Sequence, residues 1–184
     1  MPRLAPLTPA DFTPEQQRVA DAIIASRGQI SLGGGPFLPW MRSPELADRA
    51  QHLGDFCRYR SALEPTLSEF AIILTAKFWK SQYEFFAHAR MAREAGVADE
   101  IVEAVRLGTE PPMTDERQKA IYQFVNEYLE THRVSDATYD RAKAALTERG
   151  VVDLVGIVGY YCLVSMTLNV FEVALPEGQP DPLP

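Results

Sequence analysis

Four polar side chains stand among aromatic and aliphatic residues in one stretch of the chain. Ser68 to Gly96 reads SEFAIILTAKFWKSQYEFFAHARMAREAG, and within it Glu69, Ser81, Glu84 and His88 are set among Phe, Trp, Tyr and Ile. Ser81, Glu84 and His88 are spaced i, i+3, i+7, so on a helix they share one stripe. Glu84 and His88 are then one turn apart and can hydrogen-bond or exchange a proton. A carboxylate and an imidazole beside Phe78, Trp79, Tyr83, Phe85 and Phe86 are expected to have displaced pKa values, which suits acid–base catalysis near neutral pH. The same residues have a second reading. Ser81-x-x-Glu84 and Thr66-x-x-Glu69 both match the helix capping box, and a histidine on an apolar helix face is more often a satisfied core residue than a catalyst.

The elements that must position these residues read as helices throughout. Thr13, Pro14 and Gln16 make a capping box for a first helix to about Arg27. The segment Gly28 to Trp40, GQISLGGGPFLPW, reads as a long loop carrying Phe37, Leu38 and Trp40 across a neighbouring surface. Its three consecutive glycines are not followed by Gly-Lys-Ser/Thr and no strand is evident before them, which argues against a phosphate loop. Ser43 and Pro44 start a second helix, expected to reach Leu63 with Leu46, Ala50, Leu53 and Phe56 on its apolar positions. A third runs from Pro65 to about Lys80 with Phe70, Ile73, Leu74 and Phe78 on its core face, and a fourth from Ser81 to Ala95, stopped by Gly96. Asp99 to Leu107, a helix capped by Thr114 and ending near Thr131, and one from Ser135 to Gly150 follow. Val151 to about Val173 is the last and most apolar. The class is all-α, a single-domain bundle of about eight helices over residues 1–184. Its motif region spans 65–108, between a Pro-rich segment 1–12 and a Pro-rich tail 176–184.

Composition narrows the function classes. The chain has 184 residues and a net charge of −7, with no Lys/Arg cluster of the kind that phosphate backbones require, so no nucleic-acid partner is expected. Cys57 and Cys162 have no metal or redox spacing and read as small buried hydrophobes in a reducing cytoplasm. The N-terminus lacks the apolar core of a signal peptide. The apolar run Leu154 to Leu168 is shorter than the roughly 20 residues needed to span a bilayer, so no membrane association is expected. A helix apolar nearly all round needs burial on every side, which places it at a bundle centre or a subunit interface and predicts a homo-oligomer.

The motifs LSEFAIIL at Leu67 and KSQYEFFAHARMAREAGVADEIVEAVRLG at Lys80 resemble the carboxymuconolactone decarboxylase and alkylhydroperoxidase-D-like superfamily. GYYCLVSMTLNVFEVALPEG at Gly159 and GGPFLPWMRSPELADR at Gly34 look like its decarboxylase-type branch. The resemblance implies an all-helical fold assembled as a trimer or hexamer. The peroxidase branch carries Cys-x-x-Cys-x-x-x-His with an upstream relay Glu. Aligned on the histidine, its cysteines fall on Ser81 and Glu84, its Glu on Glu69 and its His on His88. Without a thiolate there is no peroxide-attacking nucleophile, so thiol-peroxidase activity is not expected. The resemblance instead implies acid–base chemistry without cofactor or metal on a small carboxylated lactone or oxo-acid; another proton-transfer reaction of the superfamily, a hydrolysis or isomerisation, and a non-catalytic helical oligomer that binds a small ligand stay open as alternatives. His88 would donate the proton, with Glu84 and Glu69 as further catalytic members. An anionic substrate in an acidic protein needs a local cation, for which Arg58 is the first candidate and Arg42 the second. Ser81, Tyr83 and Trp79 would complete the substrate pocket.

Overall fold

The computed structural model describes every residue except Met1, Pro2, Gln29, Ser31 and Gly33, together with all side chains of the described residues but that of Arg27. Those gaps take in part of the Pro-rich segment and of the glycine-rich loop, including one of its three glycines. A 3-10 turn at Pro9–Asp11 interrupts the N-terminal segment. Eight α-helices follow among the described residues: α1 (Pro14–Arg27), α2 (Phe37–Trp40), α3 (Pro44–Tyr59), α4 (Pro65–Phe78), α5 (Gln82–Glu94), α6 (Asp99–Leu107), α7 (Glu116–Thr131) and α8 (Asp136–Val170). The all-α expectation holds. The Thr13 capping box forms with both of its hydrogen bonds.

The centre of the bundle is α4. It packs against α5, α6, α7 and α8, and residues 67–76 are buried without interruption. A run such as LSEFAIILTA cannot spare a face for water, so its neighbours must surround it. α4 ends at Phe78 with Trp79 as its C-cap, and Lys80 takes a left-handed conformation (φ 50°) that turns the chain sharply. The Ser81 N–H donates to the Ala76 carbonyl at 3.0 Å, closing this turn. The turn sends α5 back along α4 as a tight helical hairpin. That hairpin is what sets residues of α5 opposite residues of α4.

Several boundaries differ from expectation for local reasons. α3 stops at Tyr59 rather than Leu63, and its buried residues are Ala47, Ala50, Gln51, Gly54 and Cys57. Leu46 and Leu53 are exposed, as is Phe78 at the end of α4, so these apolar side chains do not belong to the core. Phe37–Trp40 is a short helix rather than loop, pinned by Trp40 Nε1 donating to Thr167 Oγ1 at 3.0 Å. Asp115, not Thr114, caps α7. The two last predicted helices are continuous except at Thr147 (φ 71°, ψ 168°), where the axis breaks. The Thr147 hydroxyl accepts from the Gly150 N–H at 3.3 Å and so caps the second half, three residues ahead of the glycine expected to end the first.

α8 is also not buried all round. Val152, Val155, Leu163, Met166 and Val170 are exposed along one face at helical spacing. By length and composition this helix could cross a bilayer, but 61% of its apolar window is buried against the other helices, as in a core helix. The tail folds back, with Leu183 buried and its backbone N–H and carbonyl both paired with the Gln82 amide at 2.9 and 3.2 Å.

Candidate active site

The α4–α5 hairpin places Glu69 against His88. Glu69 Oε2 lies 2.6 Å from His88 Nδ1. On the other side of the ring, His88 Nε2 lies 3.2 Å from Glu84 Oε1. That second contact is an ion-pair distance without hydrogen-bond alignment, so Glu84 Oε1 keeps an unused lone pair. All three are nearly sealed: relative exposure is 6% for His88, 8% for Glu69 and 3% for Glu84. Neither capping box in this region forms. Ser81 is the N-cap of α5 but makes no side-chain cap hydrogen bond. Glu64 stands at the N-cap of α4, and the Thr66 hydroxyl donates to the Ala95 carbonyl instead. The carboxylates thus belong to the histidine and not to helix starts.

Burial is the largest single influence on His88 and pulls its pKa down. The charges of Glu84 and Glu69, together with the hydrogen bond to Glu69, outweigh it and raise the value from 6.5 to about 9. The resting imidazole is therefore a cation held between two carboxylates, an acid with a proton to give. The three groups line up along one ring rather than converging on a point, and no metal-type cluster of three such side chains occurs among the described residues.

A cavity of about 500 Å³ opens beside this triad, where α3, α5, α8 and residues 34–37 meet. His88 and Glu84 form part of its wall, and Glu69 sits behind His88. Arg58, at the end of α3, also lines it. The guanidinium has no carboxylate partner among the described residues: Nη2 meets the Met91 sulfur at 3.3 Å, Nε is buried and unpaired, and the group lies 5.0 Å from the centre of the Tyr59 ring. Arg90 lines the cavity too, but it is paired with Glu94 at 2.7 Å. Tyr83 reaches the cavity with its hydroxyl packed so tightly on Gly34 that a Cβ there would lie 2.4 Å from it.

Three expected pocket residues lie elsewhere. Arg42 is held by the carbonyls of Leu38 and Ala5 at the surface, because its position follows the short α2 and not the cavity. Trp79 packs edge-on against Phe78 at the hairpin turn. Ser81 is fully buried in that turn with an unpaired hydroxyl and does not reach the cavity wall. Two wall residues that sequence reasoning missed are Tyr160 and Tyr161 of α8. Tyr161 meets the His88 ring edge-on at 4.9 Å. Adjacent tyrosines in the most apolar helix were the signal, since a buried tyrosine hydroxyl needs something polar to face.

Neither cysteine lines the cavity. Cys57 is buried and its thiol is pushed up to about 11, first by burial and then by the charge of Asp153. Cys162 is raised as well, again chiefly by burial. Both are thiols and not thiolates at neutral pH, which removes them as peroxide nucleophiles.

No protein-family profile matches the chain, and no curated protein matches it. Solved structures do. An uncharacterized peroxidase-related protein from Silicibacter sp. TM1040 is 13% identical with a TM-score of 0.76, over 97% of this chain and 95% of that one. The apo debrominase Bmp8 is 14% identical with a TM-score of 0.72, over 94% and 91%. A cysteine-to-alanine variant of Bmp8 holding 2,3,4-tribromopyrrole matches equally well, with a TM-score of 0.72 at 14% identity over 94% and 90%. A protein of unknown function from Agrobacterium tumefaciens, related by its description to the antioxidant defence protein AhpD, is 14% identical with a TM-score of 0.68, over 77% and 98%. At these identities the likeness is one of fold.

Proposed function

We propose, from the premise that the chain has the fold of the carboxymuconolactone decarboxylase and alkylhydroperoxidase-D-like superfamily, that it is a lyase working by acid–base chemistry without a cofactor. The substrate is a small carboxylated lactone or a related oxo-acid. The observation that carries this reading is the cationic His88 ring, with one nitrogen held by buried Glu69 and the other at the wall of a cavity that also contains Arg58. Arg58 supplies the charge that an anionic substrate needs, and among the described residues no carboxylate pairs with it. His88 supplies the proton that replaces CO2 on carbon, and Glu84 reloads it from solvent. A second, wider reading, since one fold hosts many chemistries, has the same residues serve another proton transfer such as an isomerisation or hydrolysis.

The test is CO2 release from a panel of carboxylated γ-lactones and β-oxo-acids, with hydroperoxide consumption in the presence of a dithiol as a control. Release above the buffer background with no hydroperoxide loss is the expected result. Background rates across the whole panel from folded protein overturn the lyase reading, and hydroperoxide loss overturns the exclusion of thiol chemistry.

The exposed face of α8 supports a homo-oligomer, a trimer or hexamer as in the superfamily. Val152, Val155, Leu163, Met166 and Val170 form a continuous apolar stripe, and Gly156 and Gly159 between them leave open space in which a second helix can approach closely. Val155→Lys combined with Met166→Lys is expected to reduce the mass measured by light scattering to that of one chain. A monomeric wild type, or an unchanged mass in the double variant, removes this face from the assembly.

A further inference from the structure

Decarboxylation places negative charge on the substrate oxygen conjugated to the breaking bond, and neither His88 nor Arg58 is free to meet it under the reading above. His88 is committed to carbon and Arg58 to the carboxylate. We infer that Tyr161 is a further catalytic residue, the neutral hydrogen-bond donor to that oxygen. This rests on the acid–base reading of the site but on separate observations.

Tyr161 is 2% exposed and lines the cavity. Its ring is fixed from two sides, edge-on to His88 at 4.9 Å and edge-on to Tyr160 at 5.1 Å. Its hydroxyl makes no hydrogen bond to a described protein group, yet it is not among the sealed, unpaired polar atoms of the interior. A residue this buried whose hydroxyl is neither paired nor sealed presents that hydroxyl to the cavity. Tyr83, the wall tyrosine on α5, has its hydroxyl packed on Gly34. Burial, with the charges of Glu84 and Glu69 adding to it, keeps the Tyr161 proton in place far above the ordinary value of 10.0. The group is thus a donor across the working pH range and does not itself ionise.

The step balances without a co-reactant. The bond between the substrate carbon and its carboxylate breaks, CO2 leaves, and the electron pair moves into the conjugated carbonyl as an enolate. Tyr161 donates a hydrogen bond to the enolate oxygen and keeps its proton. The pair then returns to carbon as the C–H bond forms with the proton from His88 Nε2, which solvent later replaces. A rigid donor aimed at developing charge in a closed site is the arrangement that stabilises such an intermediate. It also defines the substrate class: the departing carboxylate must be conjugated, through the carbon that is protonated, to a carbonyl oxygen.

Two measurements test this, and they separate it from the reading on which it rests. The first uses 4-nitrophenolate as an enolate mimic and nitrobenzene as its uncharged counterpart, with binding followed by absorbance. Wild type is expected to prefer the phenolate, and Tyr161→Phe to lose at least about tenfold of that preference. The second is turnover of any active panel substrate. Tyr161→Phe is expected to lower kcat by about 10²–10³-fold with KM little changed, because the bond forms only as charge develops. Absence of phenolate binding by wild type, or an unchanged preference in Tyr161→Phe, overturns the inference even if CO2 is released. A Tyr161-dependent phenolate preference with no CO2 release from any substrate leaves the oxyanion site standing and overturns the lyase. The substitution removes one oxygen, and near-UV circular dichroism checks that the ring stays packed.

Discussion

Replacing His88 with glutamine is expected to lower turnover by about 10²–10⁴-fold, the range that a positioned general acid contributes. Glutamine has similar bulk, and its amide can still donate to Glu69, so substrate-sized space is preserved while the transferable proton is lost. Wild-type turnover should show the matching pH dependence. The acid form of His88 is full well below its value of about 9 and disappears above it, so the rate falls as pH rises through about 9. Stability follows the same sign. The folded-state value lies above the ordinary 6.5, so the stabilisation from the charged imidazole is complete below about 6.5 and is lost as pH climbs through about 9. A series of Tm measurements from pH 6 to 10 reads this directly, and the fall should flatten in His88→Gln. Turnover within threefold of wild type in that variant removes His88 as the proton donor, whatever the substrate.

The limits of the sequence are visible in the same residues. The Glu84–His88 pairing follows from helical spacing alone, since i and i+4 must share a face. The pairing of Glu69 with His88 across 19 positions does not, because it depends on a turn at Lys80 whose left-handed backbone no residue type announced. The family likeness pointed to Glu69, and the hairpin supplies the physical reason. Ser81 shows the converse. Its spacing fits the stripe, but the residue is spent in the hairpin turn, where its N–H closes onto Ala76 and its side chain is buried away from the cavity.

Apolar periodicity was informative where one face of a helix decides burial and weak where every face is apolar. α4 was assigned one core face and turned out to be surrounded. α8 was expected to be surrounded and keeps an exposed stripe. The difference lies in which helices pack around each, and a single helix's pattern does not contain that. Tyr160 and Tyr161 are legible only as adjacent hydroxyls in an apolar helix: that pattern calls for a polar surrounding but does not say which side of the helix meets the pocket. Arg58 and Arg42 both answer the need of an anionic substrate for a cation in an acidic protein; Arg58 lines the cavity, and Arg42 finds its partners in backbone carbonyls.

The carboxylates should be separable by what their loss does. Glu69→Ala removes one partner of a buried, aligned ion pair and is expected to cost about 3 kcal/mol in a denaturant titration. Glu69→Gln keeps the volume and a hydrogen-bonding group while removing the charge, so its main effect should fall on His88. With one of the two raising charges gone, burial gains weight and the His88 value drops, so the alkaline limb of the pH–rate profile moves below about 9. Glu84→Gln moves the limb in the same direction for the same reason. It should cost less stability than loss of Glu69, because Glu84 makes no aligned hydrogen bond with the ring and sits at the cavity wall. It should also slow reloading of His88, so that turnover becomes sensitive to added small buffers in Glu84→Gln and not in Glu69→Gln. An unmoved limb together with an unchanged Tm in Glu69→Gln means that the 2.6 Å contact does not set the charge of His88. An absence of buffer rescue confined to Glu84→Gln leaves the reloading role without support.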